Sequence, residues 1–202
     1  MIECIDLCKS FGEKELFHNL SFQIDSGEFF CFSGESGRGK TTLLNILGMI
    51  EPPTAGKVLF DGSEIRTNGE RLNFFRTKVG FVFQNFALVE GKTVEQNLAL
   101  VRKSNRQNIS IQEALDNVGI SEKVKSKVYT LSGGEQQRVA LARLFIKKCD
   151  IILADEPTGS LDSHNAKIVI DILKTLNTQG KTVVLVTHDS NIKQVCDRVI
   201  SL

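Results

Sequence analysis

The sequence predicts an α/β protein with a β-rich beginning and a helical insertion, and two kinds of pattern support this fold class. Three short runs are apolar on both faces, as buried parallel strands are: Phe29–Ser33, Ile151–Ala154 and Val183–Val186. A segment with one apolar helical face, Ala166–Leu176, lies between the last two runs. Because strand, helix and strand in this order form a right-handed crossover, the core sheet is expected to be mostly parallel.

The other elements follow from the same patterns, taken from the N-terminus onward. Strands are predicted by the apolar residues Ile2, Ile5 and Leu7 and by the alternating segment Leu20–Ile24, and a turn at Asp25–Glu28 leads into the first buried strand. The later expected elements are a helix over Lys40–Met49 that ends before Pro52, strands at Gly56–Phe60 and Val79–Phe83, and a polar helical stretch from about 93 to 128.

Composition narrows the class of protein. A chain of 202 residues that is 41% hydrophobic and 24% charged suits one globular domain. Its 25 Lys and Arg against 24 Asp and Glu give a net charge of +1, so no basic excess indicates nucleic acid or an anionic membrane surface. No run approaches the roughly 20 apolar residues of a membrane span, and the first residues do not resemble a secretory signal. Five cysteines without a Cys-x-x-Cys pair are expected to be reduced thiols of a cytosolic protein: Cys4, Cys8, Cys31, Cys149 and Cys196.

A phosphate-binding loop is predicted where the first buried strand meets a helix. The segment Gly34–Thr41 matches G-x-x-x-x-G-K-[ST] at every fixed position and lies in the strand–helix context that this motif requires. Lys40 is expected to reach the β- and γ-phosphates, Thr41 to ligate Mg²⁺, and Thr42 to touch the α-phosphate. The motif alone leaves kinases, GTPases and motor ATPases open. The predicted phosphate-binding residues are Gly34, Glu35, Ser36, Gly37, Arg38, Gly39, Lys40, Thr41 and Thr42.

Two carboxylates follow the strand at Ile151–Ala154. In an open parallel sheet, ligands bind beyond the carboxyl ends of the strands. Asp155 is therefore expected to hold Mg²⁺ through a water, opposite Thr41. Glu156, one residue later, is placed to face an attacking water as a general base.

A second glycine pair begins another helix. Ser132 and Glu135 have the spacing of a capping box, which predicts a helix start at this point. Gly133 and Gly134 lie in its first turn, although glycine costs a helix about 1 kcal/mol relative to alanine. Two glycines leave the end of the helix bare, so that another backbone or a phosphate can approach it closely.

The segment Leu131–Arg143 resembles the signature sequence of ABC (ATP-binding cassette) ATPases, and the likeness extends over essentially the whole chain. That family implies a P-loop NTPase fold with a mostly parallel core sheet, an N-terminal antiparallel β subdomain and a helical subdomain at about 85–145. The chain would be one such ATP-binding domain, residues 1–202. Other family motifs are matched by Phe11, Gln84, Ser160–Asp162 and His188.

The resemblance also implies roles for these residues, with ATP and Mg²⁺ as cofactors. Phe11 would stack on adenine, where the family more often has Tyr, and Gln84 would reach both Mg²⁺ and the attacking water. The implied catalytic residues are Glu156, His188, Gln84 and Lys40, and the implied metal ligands are Thr41, Gln84 and Asp155. The family further implies a head-to-tail dimer, in which Ser132, Gly133 and Gly134 of one subunit close over the γ-phosphate held by the other.

Within the family, the segments after Gln84 and around Asp155 resemble the branch for lipoprotein release, macrolide efflux and antimicrobial-peptide export. Within that branch, the segment Ala87–Lys92 is most similar to the bacteriocin-export ATPases. Two departures are Leu88–Glu90, where many relatives have Leu-Leu-Pro, and Arg38, at a position that is usually small. The expected function is an ATPase subunit that energises export or extraction through a separate transmembrane permease. It would lie at the cytoplasmic face of the cell membrane, held there by the permease, with no nucleic acid as partner.

Three alternatives stay open at this point. A mechanotransmitting ABC ATPase that pulls on an external target without transport would have the same motifs. A soluble ABC ATPase acting on ribosomes usually carries two tandem cassettes, whereas this chain has one phosphate loop and one signature. A DNA-repair or chromosome ATPase needs a long coiled-coil insertion, and no sustained heptads occur between the two motifs.

Overall fold

The computed structural model describes residues 1–35 and 37–202 and contains two sheets. The first is a four-stranded antiparallel sheet, in the order β2-β1-β4-β5, in which the long strands β1 and β2 form a hairpin. Alternate residues of β1 are buried, first Ile2 and Cys4 and then, after a shift in register, Leu7 and Lys9. Its strands are β1 (Ile2–Phe11), β2 (Lys14–Ile24), β4 (Ala55–Phe60) and β5 (Ser63–Glu64).

The second sheet forms the core, with five strands in the order β6-β7-β8-β3-β9 and parallel pairing throughout. Strands β3 and β8 are buried over their full length, which explains why both of their faces are apolar. The predicted mostly parallel core is therefore confirmed. Its strands are β3 (Phe29–Ser33), β6 (Val79–Val82), β7 (Ile151–Asp155), β8 (Thr182–Val186) and β9 (Arg198–Ser201).

Seven α-helices occur in the part of the chain that the structure describes. The polar helical stretch expected from about 93 to 128 is not one long helix, because Thr93 and Ser110 each form a capping box that starts a new short helix. The helices are α1 (Lys40–Leu47), α2 (Asn68–Thr77), α3 (Val94–Leu98), α4 (Ile111–Asp116), α5 (Gly133–Ile146), α6 (Ser163–Thr178) and α7 (Ser190–Lys193).

Hydrophobic cores lie on both faces of the five-stranded sheet. Phe29 and Cys31 of β3 pack into a core with α5 and α6, whereas Phe30 and Phe32 pack into a core with α1 and the antiparallel sheet. Strand β3 is thus fixed from both sides, which holds the loop that follows it in place.

All five cysteines are free, and Cys4, Cys31 and Cys149 are buried. Burial raises the pKa of the Cys4 and Cys149 thiols, so both are protonated and unreactive at neutral pH. Within the described ranges, no helix has both the length and the apolar character that crossing a bilayer requires.

Candidate functional site

The loop between β3 and α1 has the backbone geometry of an anion cradle. The glycines Gly34, Gly37 and Gly39 have φ angles of 147°, 81° and 87°, which residues with a Cβ atom rarely adopt. Gly39 is the N-cap of α1, and among the described residues no side chain caps the first turn of this helix or places a carboxylate in it. The first N–H groups of α1 and its positive dipole end therefore fit a phosphate. The predicted residue Ser36 lies outside the described residues.

Lys40 is the first residue of α1, and its side chain lies inside the loop. Its ammonium group donates to the backbone oxygens of Gly34 at 3.0 Å and Glu35 at 2.7 Å, and only 7% of the residue is exposed. Among the described residues, no carboxylate forms an ion pair with it. A buried cation with only carbonyl partners fits an anionic ligand that would supply the missing charge. Glu35 and Arg38 have exposed side chains that pair with each other.

Two oxygen groups suited to a divalent cation meet at the end of β7. The Thr41 hydroxyl donates to Asp155 Oδ1 at 3.1 Å, across the gap between α1 and the strand. Burial is the main cause that raises the pKa of Asp155, and the negative charge of Glu156 raises it further; Thr41 and Lys40 act in the opposite direction. A hydroxyl and a half-buried carboxylate fit Mg²⁺, which prefers oxygen ligands. Its positive charge would also stabilise the ionised form of Asp155 against the effect of burial.

Glu156 leaves β7 in a strained backbone conformation, with a φ of 44°. One carboxylate oxygen, Oε1, is 2.9 Å from Nδ1 of His188, which follows β8 and is exposed. The other, Oε2, is buried and has no hydrogen-bond partner in the described structure. A buried carboxylate oxygen without a donor is costly, and a bound water that donates to it would remove that cost.

Gln84 reaches the same edge of the sheet from β6. Its side-chain amide nitrogen lies 3.8 Å from the position that a Cβ atom on Gly159 would occupy. Gly159 in turn donates its backbone N–H to the Glu156 carbonyl at 3.1 Å. The exposed amide of Gln84 therefore lies beside the segment that holds Glu156. The carboxyl ends of β3, β6, β7 and β8 thus bring together Lys40, Thr41, Gln84, Asp155, Glu156 and His188.

Phe11 lies at the end of β1 and is 52% exposed, with the ammonium group of Lys9 4.6 Å from its ring centre. The strand that follows the turn, β2, packs against the phosphate loop. A Cβ atom placed on Gly39 would lie within 3.4 Å of the side chains of Leu16 and Phe17. The exposed ring of Phe11 is available for stacking, and its role as an adenine platform stays a prediction.

The second glycine pair begins α5 as predicted. The Ser132 hydroxyl accepts from the Glu135 N–H at 3.3 Å, and the Glu135 carboxylate accepts from the Ser132 N–H at 2.8 Å, which completes the capping box. Ser132 and Gly133 are exposed. No hydrogen bond or ion pair between described residues joins this turn to the phosphate loop of the same chain.

The expectation that both glycines leave the helix end bare is wrong for Gly134. This residue is buried, and a Cβ on it would lie 2.5 Å from the Asn165 side-chain oxygen. The element that approaches Gly134 closely is therefore the first turn of α6 in the same chain. Gly133 has no such neighbour, because the nearest atom to its Cβ site is 3.8 Å away, in Phe86.

Two residues of α5 that contact the site segments were missed in the sequence. Gln137 donates to the carbonyl of Pro157 at 2.6 Å, and Arg143 donates to the carbonyls of Phe86 and Ala87. The period of a helix provides a signal for Gln137, since it shares the buried face with Gly134 and Leu141 although it is polar. A buried polar residue on an apolar face must have a partner.

Comparison with known proteins assigns the chain to a family. The family model described as ABC transporter matches residues 17–159. Among curated relatives, the macrolide export ATP-binding/permease protein MacB of Campylobacter jejuni is 40% identical over 209 residues, which cover 100% of this chain and 33% of that protein. The chain therefore spans about a third of the length of the MacB relatives. An uncharacterised ABC transporter ATP-binding protein of Methanocaldococcus jannaschii, MJ1508, is 37% identical over 100% of this chain and 95% of its own length.

Solved structures give the same result. The chain is similar to the dimeric structure of MJ0796, a bacterial ABC transporter cassette, with a TM-score of 0.86, 38% identity, and coverage of 100% of this chain and 94% of that one. It is equally similar to a dimeric post-hydrolysis state of the same cassette bound to ADP and Pi, with a TM-score of 0.86 at 36% identity.

Proposed function

The chain belongs to the ABC transporter family, and from this premise we propose that it is the ATP-binding and ATP-hydrolysing subunit of a membrane transporter with a separate permease. The observation that carries the proposal is the pairing of Glu156 with His188 beside the phosphate loop, with one buried Glu156 oxygen left for a water. This arrangement suits attack of water on a phosphate held by the loop.

The phosphate loop binds the triphosphate. The N–H groups at the start of α1 and the Lys40 ammonium supply positive charge at one point, where charge develops on the γ-phosphate during hydrolysis. The Thr41 hydroxyl, Asp155 and Gln84 are the residues that hold Mg²⁺. When bound, Mg²⁺ neutralises charge on the β- and γ-phosphate oxygens.

Glu156 acts as the general base. Its Oε1 is held by His188, so the free Oε2 has a fixed direction and receives the proton of the attacking water. Gln84 lies next to this segment and orients the same water through its side-chain amide. His188 thus serves to fix the base, and its exposed position also suits contact with the γ-phosphate.

The active unit is a head-to-tail homodimer that forms when ATP is bound. The turn of Ser132 and Gly133 is exposed at a helix N-terminus, whose positive dipole end suits a γ-phosphate, and no hydrogen bond between described residues joins it to the phosphate loop of its own chain. A second copy supplies the missing partner. The dimeric structures of the MJ0796 cassette support a homodimer.

The permease is a separate transmembrane protein, and the chain sits on it at the cytoplasmic face of the membrane. The names of the MacB relatives, which join an ATP-binding part to a permease, support a permease partner. The helical region from about 85 to 145, including the stretch after Gln84, is the proposed docking surface. The cargo is a peptide, an antimicrobial or a lipoprotein-like molecule that is exported or extracted, and no nucleic acid takes part.

Reconstitution with a candidate transmembrane permease in proteoliposomes tests the proposal. We expect Mg²⁺-dependent phosphate release that the permease stimulates and that moves cargo across proteoliposomes. Phosphate release that the membrane protein stimulates without any cargo movement would favour mechanotransmission. Stimulation by ribosomes or DNA instead of the permease would contradict the transport function.

A further inference from the structure

The longest helix of the helical region, α5, is attached by side chains to the two loops that carry the proposed catalytic groups. We propose that α5 positions both catalytic loops of its own subunit, Gln137 through the segment after Glu156 and Arg143 through the segment after Gln84. The inference rests on the proposed function, and it adds two positioning residues that do not touch nucleotide.

Gln137 connects α5 to the segment that holds the general base. It is 1% exposed, and its amide nitrogen donates to the carbonyl of Pro157 at 2.6 Å. Pro157 directly follows Glu156, whose φ of 44° costs free energy and persists only where the surroundings enforce it. The Gln137 bond is one such restraint, since without it the buried Pro157 carbonyl would lose a donor from α5.

Arg143 connects the same helix to the segment after Gln84. Its guanidinium donates to the Ala87 carbonyl at 2.6 Å and to the Phe86 carbonyl at 2.8 Å. Phe86 and Ala87 have φ angles of 60° and 48°, so two consecutive residues hold a left-handed backbone that is rare without glycine. The two hydrogen bonds from Arg143 stabilise this left-handed conformation, because both carbonyls point toward the guanidinium.

The Arg143 contact is unlike an ordinary surface ion pair. Desolvation lowers the pKa of this guanidinium, and no described carboxylate lies within ion-pair distance of it. A charged group taken out of water needs hydrogen bonds to offset the cost, and here the carbonyls of the catalytic loop supply them.

The helix itself provides the rigid link between the two contacts. Gln137 and Arg143 are six positions apart on one helix, which corresponds to a rise of about 9 Å. The N-terminal turn of the same helix packs through Gly134 against Asn165 and exposes Ser132 to a second subunit. A displacement of this turn on closure over nucleotide is therefore transmitted to both loops at once.

The chain offers a matched control for each residue. Gln107 donates through its amide to a backbone carbonyl as Gln137 does, that of Lys147 at 2.8 Å. Arg106 donates to two backbone carbonyls as Arg143 does, those of Val101 and Ala99. Among the described residues, neither side chain hydrogen-bonds to a loop that carries a proposed catalytic or phosphate-binding group.

The test compares kcat and KM for Mg²⁺·ATP, nucleotide affinity and melting temperature across these variants in the full chain. We expect Gln137→Met and Arg143→Gln each to lower kcat by about 10- to 100-fold, as a displacement of about 1 Å in a catalytic group does. KM and the affinity for a fluorescent ATP analogue should stay at the parental values. Gln107→Met and Arg106→Gln should keep the parental kcat.

Two conservative variants separate positioning from folding. Gln137→Glu removes the donated N–H at constant size and should lower kcat as Gln137→Met does, while Arg143→Lys keeps a donor and should recover part of the rate. A parental kcat in Gln137→Met and Arg143→Gln, or equal losses in their controls, would overturn the inference and leave the ATPase function standing. A parent chain without ATP hydrolysis would overturn both.

Discussion

Replacement of Glu156 by Gln separates nucleotide binding from hydrolysis. Gln keeps the size of the side chain, and its oxygen can still accept from His188, whose Nδ1 lies 2.9 Å from Glu156 Oε1. The change falls on the buried Oε2, which has no partner in the described structure. An amide at that place cannot take a proton from the attacking water.

The magnitude follows from the role of this oxygen. A general base typically contributes a factor of about 10²–10⁴ to the rate. That factor corresponds to about 2.7–5.4 kcal/mol of transition-state free energy, at about 1.36 kcal/mol for each tenfold change. Nucleotide affinity should be unchanged, because no hydrogen bond between described residues joins the Glu156 side chain to the phosphate loop.

Phosphate release measures the chemical step, and size-exclusion chromatography with light scattering measures the dimer. Glu156→Gln should accumulate as a dimer with Mg²⁺·ATP, and the added change Ser132→Arg should abolish that dimer by filling the space for the opposing γ-phosphate. Glu13→Gln, at an exposed position of the β1–β2 turn, is the matched control and should retain the parental rate.

Two outcomes would refute this reasoning. Hydrolysis by Glu156→Gln at near the parental rate would show that Glu156 is not the base. An inactive variant that stays monomeric at saturating ATP would show that the isolated chain does not form the head-to-tail sandwich, and that closure depends on the permease.

Three further predictions concern the loop, the dimer and the helical region. Lys40→Ala should weaken binding of ATP more than of AMP in a fluorescence titration, because the ammonium serves the terminal phosphates; equal losses for both would contradict that role. The nucleotide-free chain should sediment as a monomer at micromolar concentration, and a stable dimer there would indicate an interface that ATP does not create. Asn97→Ala should lower the free energy of unfolding by about 2–4 kcal/mol, because Asn97 is only 1% exposed and its side-chain amide hydrogen-bonds to the N–H and carbonyl of Val89 and to the carbonyl of Thr93. Thermal unfolding measures this loss, with Asn191→Ala at an exposed position as the control. A loss no greater than that of the control would contradict the prediction.

The sequence was most informative about the core sheet. Strands β3, β7 and β8 are buried on both faces, so their apolar runs are distinctive, and the expected limits agree with the structure within one residue. Strand β9 and helix α2 were not predicted. Three of the four residues of β9 are exposed at the sheet edge, and only Phe74 of α2 is buried, so neither has an apolar pattern to detect.

The grouping of the site residues follows from topology. Once the core strands are parallel, every loop at their carboxyl ends must lie at one edge, which explains why Lys40, Gln84, Asp155, Glu156 and His188 meet. Their chemical roles stay predictions. Two features could not come from sequence: which carboxylate oxygen of Glu156 is held by His188, and which glycine of the second pair is open to a partner.

The two glycines that begin α5 illustrate why motif spacing alone gave an incomplete answer. Both glycines fit a bare helix end, yet Gly134 is needed because Asn165 of the same chain lies against it, and only Gly133 faces outward. If the helix end served only a second subunit, nothing would require the close contact to α6. The contact instead joins the exposed turn of Ser132 and Gly133 to α6, the helix that follows Glu156 in the chain. In the proposed head-to-tail dimer, α5 would therefore link contact with the partner's nucleotide to the proposed catalytic site of its own subunit.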